Sequence, residues 1–316
     1  MKEIGGYIEF EHYHNPFLHE GAIALNCGRN CLDYLIQAKK IKKILLPYFL
    51  CDSVKDKCLK KGLEIQYYHI DTHFLPTIDK IEKDAWLYVV NFYGQLSSKN
   101  IIELKERFQN IIVDNAQAYF DLPIDGTDTI YTCRKFFGVA DGAFLYTDKT
   151  IEIELPVDES FDRMHFLLGR FERTASEFYT EYADNNHFFI NEPVKSMSKL
   201  TQNLLRGIDY ERVKRKRTEN FNYLYHSLQS INKLKLKRVE GGFAYPLWIE
   251  KGQAVKKRLS ERKIYIPTLW PNVLNELEKP FLEYEFANNI LPLPVDQRYG
   301  IEEMKYIFEE VNKCIS

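Results

Sequence analysis

Through the first half of the chain, short apolar runs alternate with amphipathic polar segments. Runs at 22–25, 44–46, 64–69, 86–91, 111–114, 128–132 and 142–146 read as strands. Segments 30–39, 52–61, 75–82 and 99–108 read as helices, the second closed by Gly62. Strand and helix in alternation, joined by short connections, predict an α/β domain: a mostly parallel central sheet covered by helices. Ligands of such sheets lie beyond the carboxyl ends of the strands. Pro47, Asn91 and Asp114 fall at those ends, so the pattern predicts that they converge on one crevice.

The second half changes character. Segment 152–160 is acidic and reads as a loop, and 161–182 as one long helix rich in aromatic residues, broken at 183–186. Helices follow at 198–205 and 209–229, then a strand at 243–249, a helix at 253–262, a strand at 264–266 and a last helix at 301–314. This predicts a large domain over 1–207 and a smaller C-terminal α+β domain over 208–316, with the first 20 or so residues able to pack on the small domain. The basic run at 211–217 reads as a solvated helix face. No internal repeat or low-complexity stretch is visible.

Composition narrows the function classes. Across 316 residues, 43 basic and 45 acidic side chains leave a net charge of −2, which argues against a dedicated nucleic-acid binder or a polybasic membrane anchor. A local basic pocket for a phosphorylated ligand remains compatible with that balance. The N-terminus lacks an apolar signal region, and no run reaches the roughly 18 apolar residues of a membrane span. The cysteines at 27, 31, 51, 58, 133 and 314 form no paired Cys-x-x-Cys knuckles, so no metal site is expected. Reduced thiols and a cytoplasmic location are the expectation.

The chemistry centres on Asp114, at the end of the Ile111-Ile112-Val113 run, and Lys135, 21 residues later within Thr132-Cys133-Arg134-Lys135-Phe136-Phe137-Gly138. An acid and an amine at neighbouring strand ends suit a pyridoxal phosphate (PLP) enzyme: the amine holds the aldehyde, and the acid keeps the pyridine nitrogen protonated. A strand-end carboxylate capping a turn and a surface lysine beside Arg134 are the plainer readings, and spacing alone does not choose. A lysine buried between Cys133 and two phenylalanines would be costly unless its charge were used or removed. Asn26-Cys27-Gly28-Arg29-Asn30 links a strand to a helix, where the free N–H groups at Gly28, Arg29 and Asn30 form a candidate phosphate site. A simple turn reads equally from those residues.

Together these segments resemble the DegT/StrS family of PLP-dependent aminotransferases, with Asn91-Phe92-Tyr93-Gly94-Gln95, Val113-Asp114-Asn115-Ala116-Gln117-Ala118 and Arg134-Lys135-Phe136-Phe137-Gly138 followed by Asp141-Gly142-Ala143 in family order. Ser198-Lys199-Leu200, Arg217-Thr218-Glu219-Asn220 and Leu291-Pro292-Leu293-Pro294 are similar to its later segments. The resemblance implies an aspartate-aminotransferase-type fold and a homodimer with a shared site. It implies amino transfer from a donor such as glutamate to a keto group, that of a nucleotide-linked sugar in polysaccharide or glycoconjugate biosynthesis. Lys135 becomes the Schiff-base lysine, Asp114 the pyridine partner, and Gln117 a neighbour of the ring hydroxyl. Asn91 joins the cofactor site, and Thr132 stands nearest to the family's missing phosphate-binding serine. Cys51 occupies the slot of the family's stacking aromatic, leaving Phe49 or Tyr93 to stack. Phe92, Tyr93, Arg173, Lys195 and Trp270 are the substrate-contacting candidates, Lys195 standing where relatives use a partner-subunit Asn-x-Arg pair. A PLP lyase or dehydratase on the same fold, or a non-catalytic binding or regulatory relative, remains open.

Overall fold

The computed structural model describes residues 4–315. Seven strands form one sheet: β1 (Ile23–Leu25), β2 (Lys43–Pro47), β3 (Glu64–Tyr68), β4 (Trp86–Val90), β5 (Ile111–Asp114), β6 (Asp128–Thr132) and β7 (Ala143–Tyr146). Their spatial order is β1-β7-β6-β5-β4-β2-β3. The run from β3 to β6 is parallel, while β7 is antiparallel to both β6 and β1. Leu87, Val89, Val90, Ile111, Ile112 and Val113 are all buried, as central strands covered on both faces require. All seven strands fall on the apolar runs of the sequence.

The covering helices of the first half are α1 (Gly28–Lys39), α2 (Asp52–Lys60) and α3 (Ser98–Phe108). The start of α3 is set by a reciprocal cap: the Ser97 hydroxyl accepts from the Asn100 N–H while the Asn100 side chain accepts from the Ser97 N–H. The helix expected at 75–82 does not form. Leu75, Ile78 and Ile81 have helical spacing and do pack on the core, but Pro76 and an Asp71-centred turn bind the backbone otherwise. Asp71 Oδ1 accepts from the N–H groups of His73 and Leu75, at 2.8 and 2.9 Å, and Pro76 bridges to Ile70 in extended form.

The long helix expected at 161–182 is instead a short 3-10 turn at Phe161–Arg163 followed by α4 (His165–Glu172) and α5 (Tyr179–Phe188). The expected break at 183–186 lies inside α5, and the real one spans 173–178, where the Phe178 ring folds back onto Gly169. A Cβ at Gly169 would stand 2.2 Å from that ring.

Next come α6 (Lys199–Arg206), α7 (Tyr210–Leu228), β8 (Ala244–Trp248), α8 (Gly252–Glu261), α9 (Val273–Glu276), α10 (Leu282–Asn289), β9 (Ile290–Pro294) and α11 (Ile301–Ile315). The strand expected at 264–266 is absent; Ile264 and Ile266 are buried without strand pairing, and β9 takes the place beside β8. Prolines at 292 and 294 disguise β9 in sequence, yet Pro292 faces Pro246 at a position where neither needs a ladder N–H.

One core fills much of the space around the large sheet, a second lies among α7, α8, α11 and the β8–β9 pair, and a third gathers Tyr119, Tyr131, Phe136, Phe144 and Leu205 beside β6 and β7. Trp270, Val273, Phe286 and Ile290, although late in the chain, belong to the first core. The N-terminal segment runs along α6: Tyr13 N–H donates to Asn203 Oδ1 at 2.9 Å, and Arg206 donates to the Asn15 carbonyl at 2.9 Å. Residues 1–3 of the segment expected on the small domain lie outside the described residues. Among the described residues, no helix is long and apolar enough to cross a membrane.

Candidate functional site

Parallel β4, β5 and β6 end at one edge of the sheet, which brings Asn91, Asp114 and Thr132 side by side. Beyond Thr132 the chain makes a tight turn in which the N–H groups of Phe136 and Phe137 both donate to the Cys133 carbonyl, each at 2.9 Å. Lys135 rides on that turn. The start of α1 sits against the same strand end: a Cβ on Gly28 would lie 3.9 Å from both Ile130 Cγ2 and Thr132 Cβ. Pro47, Asn91 and Asp114, expected to converge, thus end parallel strands at one edge of the sheet, with Gly28 against Thr132 and Lys135 on the turn beyond β6.

Asp114 is buried, and both of its oxygens are engaged. Oδ1 accepts from the Ala116 N–H at 2.8 Å, and Oδ2 accepts from the Tyr88 hydroxyl at 2.8 Å. These bonds fix the carboxylate at the strand end. Asn91 ties the neighbouring loops together, donating to Asn115 Oδ1 and Asp121 Oδ2, both at 3.1 Å, while its own Oδ1 accepts from the Leu96 N–H. Gln117 accepts from the Tyr93 N–H at 2.8 Å, which holds Tyr93 in the left-handed region at φ 54°. Gln117 Nε2 is a buried donor with no partner, and the Tyr93 hydroxyl is a second unpartnered buried group. Orphaned polar atoms of this kind are rare in a finished core and common where a ligand belongs.

Lys135 departs from the sequence expectation of a buried lysine. It is exposed, because Cys133, Phe136 and Phe137 take the inward positions of the turn. Its Nζ lies 5.8 Å from the centre of the Phe243 ring, and among the described residues it has no ion pair or hydrogen bond. The amine is thus free and braced only by a cation–π contact, on the turn that follows β6.

The first turn of α1 has neither a side-chain cap nor an acidic residue. Among the described residues the N–H groups of Gly28 and Arg29 find no acceptor, which leaves two free donors at the helix start. Burial pushes the nearby Cys27 thiol up, while Arg29, Arg134 and Lys57 pull it back, so the field there is positive. Arg134 itself braces against the Phe189 ring, 4.9 Å away, and donates to Asn186. Asn30 instead fastens α1 to the 192–193 loop. Its amide donates to Asn26 Oδ1 and the Pro193 carbonyl, and its Oδ1 accepts from Lys57 Nζ at 3.0 Å.

The remaining candidates scatter. Cys51 is half-buried at the start of α2 with its Sγ 3.2 Å from the Ser53 hydroxyl. Phe92 and Trp270 are core rings, 5.5 Å apart and packed around Phe49. Arg173 is exposed and paired with Glu177 at 2.5 Å, and among the described residues it makes no ion pair or hydrogen bond with those around Asp114. Lys195 pairs with Glu192 at 2.5 Å and Asp158 at 3.6 Å, close to α1 through its carbonyl, which accepts from the Asn26 N–H. Sequence reasoning missed Tyr88, Asn115 and the full part played by Asp141. The buried Asp141 carboxylate accepts from both the N–H and the hydroxyl of Ser198 at 2.8 Å and from Thr201, locking the loop before β7 to α6. A cleft of about 690 Å³ lies at the opposite edge of the sheet, where Trp86 and Asp128 begin their strands. Lys39 fills much of its polarity by pairing with Asp128 at 2.8 Å and with Asp148, and the cleft contains none of the crevice residues.

No protein-family model matches the chain, and no curated protein sequence matches it. Solved structures do. The chain is similar to DesV from S. venezuelae in complex with a ketimine intermediate, with a TM-score of 0.66 and 16% identity over 92% of this chain and 84% of that one. It is similar to a DegT DnrJ EryC1 StrS aminotransferase from Brucella abortus, with a TM-score of 0.62 and 14% identity over 92% of this chain and 85% of that one. The sugar aminotransferase CalS13 from Micromonospora echinospora gives a TM-score of 0.62 and 13% identity over 92% and 87%. At such identities the likeness is one of fold, and the chain has the α/β fold of these aminotransferases.

Proposed function

We propose that this chain is a PLP-dependent aminotransferase that passes an amino group from an amino acid such as glutamate to the keto group of a sugar, one carried on a nucleotide. The observation that carries this reading is that Asp114 ends β5 and Lys135 rides on the turn just beyond the adjacent parallel β6, whose end lies against the uncapped start of α1. The names of the neighbouring structures support it: one is a sugar aminotransferase, and one bears the family name that the motifs of this chain resemble.

The residues present fit the cofactor. The free N–H groups of Gly28 and Arg29, in the field of Arg29 and Arg134, suit a phosphate. The carboxylate of Asp114 suits a protonated pyridine nitrogen, and the orphaned donor Gln117 Nε2 suits the ring hydroxyl. Lys135 supplies the unpaired amine that the aldehyde requires. Bound there, PLP supplies an electron sink for the carbon that loses its proton. Lys135 Nζ carries that proton, taking it as a base and returning it as an acid. Asp114 holds the opposing charge fixed while this happens.

A homodimer and a cytoplasmic location belong to the same reading. The segment around α4 and α5 leaves Phe161, Leu168, Phe171, Tyr179 and Tyr182 exposed, an apolar surface suited to a second copy. All six cysteines are free, which suits a reducing compartment.

The test is spectroscopic. Purified protein mixed with PLP is expected to show a band at roughly 410–430 nm, lost in Lys135→Ala and bleached by glutamate as the amino group is transferred. A wild-type protein without the band, or a Lys135→Ala variant that keeps it, overturns the assignment.

A further inference from the structure

Tyr88 is the one buried polar side chain of β4, in the run Trp86-Leu87-Tyr88-Val89-Val90. It stands beside Ile112 in the β4–β5 register, two residues below the pair Val90 and Asp114, so its side chain shares the face of Asp114. Its hydroxyl reaches along that face to Asp114 Oδ2 at 2.8 Å. Tyr88 is 2% exposed and Asp114 8%, so the bond is made largely away from water, where a hydrogen bond to a charged group acts strongly. No other side chain donates to Asp114 among the described residues; its second bond comes from the backbone of its own turn.

We propose that Tyr88 is a positioning residue for Asp114: its hydroxyl fixes the orientation of the carboxylate and disperses its negative charge, and so sets how strongly Asp114 polarises the cofactor ring. The proposal rests on the cofactor reading above. Burial and the neighbouring carboxylate push the Tyr88 phenol well above its ordinary range, so it remains a donor across the working pH. The other titratable groups that face it are Cys31 of α1 and Cys58 of α2. Burial pushes Cys58 up to about 12 and Cys31 well above its usual value, so both thiols are neutral and neither competes for the carboxylate. Tyr88 therefore acts on a single charge.

The experiment reads the pH midpoint of the band that the lysine–cofactor linkage gives in the PLP-loaded protein. Tyr88→Phe keeps the ring in the core and removes the hydroxyl. The undispersed carboxylate then holds the linkage proton more tightly, so the midpoint is expected to rise by about half a pH unit, roughly threefold in proton affinity. In an Asp114→Asn background the same substitution should leave the midpoint where it is, because the path runs through the carboxylate. Site-specific 3-fluorotyrosine at position 88 preserves the fold and strengthens the donor, and should move the midpoint down. An unchanged midpoint in Tyr88→Phe or in the fluorotyrosine protein, or an equal rise in the Asp114→Asn background, overturns the proposal. A wild-type protein that shows no band overturns the cofactor reading instead, so the two failures are distinct.

Discussion

His19 has no exposed surface and lies among the rings of Tyr131, Tyr119, Phe144 and Tyr146, with centroids 3.9, 4.8, 5.6 and 5.8 Å away. Nε2 faces the Tyr119 carbonyl at 2.9 Å, so the proton sits there and donates; Nδ1 then accepts from the Tyr146 hydroxyl at 3.3 Å. Desolvation outweighs the carbonyl contact and pulls the imidazole down to about 4 from an ordinary 6.5. Between those values the unfolded chain binds more protons than the folded one, so this contribution to stability is complete above pH 6.5 and is lost as pH falls toward 4. The gap is worth about 3 kcal/mol at its acid limit. Urea unfolding at pH 7 and pH 4.5 is expected to show a smaller acid loss for His19→Phe than for the wild-type chain; equal losses would assign the acid sensitivity to other groups. The partner that fixes His19 is 100 residues away, and the one that fixes Asp114 through Tyr88 is 26 away. Such pairings leave no mark on local sequence. Asp114 and Lys135 do leave one, because their positions follow from strand ends and short motifs. The exposure of Lys135 was hidden for the opposite reason: flanking aromatics suggest burial, but a turn sends adjacent side chains different ways.

At the scale of elements, alternation of apolar runs made the large sheet legible, strand by strand. Helices were legible where one apolar stripe met one core, as in α1 and α3. Segment 75–82 has the stripe without the helix, since Pro76 and the Asp71 turn commit the backbone first. Segment 161–182 has helical spacing, but a 3-10 turn at Phe161–Arg163 precedes α4, and the break between α4 and α5 falls where Phe178 docks on Gly169. A similar close approach governs the start of α8. Asn289, at the end of α10, accepts the Gly252 N–H with its side-chain Oδ1 at 2.9 Å, and a Cβ at Gly252 would stand 2.5 Å from the Asn289 carbonyl oxygen. That obstacle is backbone, which cannot swing aside. Gly252→Ala is therefore expected to lose about 2 kcal/mol through forced displacement, although alanine is the better helix former. A urea midpoint at or above that of the wild-type chain would show that α8 and α10 are free to separate.

For the whole molecule, the question is whether its three cores act as one. Late residues Trp270, Val273 and Phe286 pack into the first core, and periodicity cannot reveal this, because an apolar stripe does not say which core it will join. Arg217 makes the second connection. It is buried inside the basic run that sequence alone assigns to a solvated face. Its guanidinium donates to Gln297 Oε1 at 2.7 Å, to the Gly242 carbonyl at 3.0 Å and to the Phe136 carbonyl at 3.3 Å, and stacks on the Phe136 ring 4.5 Å away. Desolvation lowers it to about 10, still charged at neutral pH. One side chain thus joins α7, the approach to β8, the loop after β9 and the turn that carries Lys135. Arg217→Met would leave the Gly242 carbonyl and Gln297 Oε1 dry and unpaired, while the Phe136 carbonyl keeps the Gln297 Nε2 donor, an expected loss of about 3 kcal/mol. With the Trp270 and Phe286 contacts still in place, the variant should keep the wild-type pattern, a single transition in which near-UV and far-UV circular dichroism change together, at a lower midpoint. Two separated transitions in the variant would mean that Arg217, rather than the shared apolar core, makes the lobes fold as one.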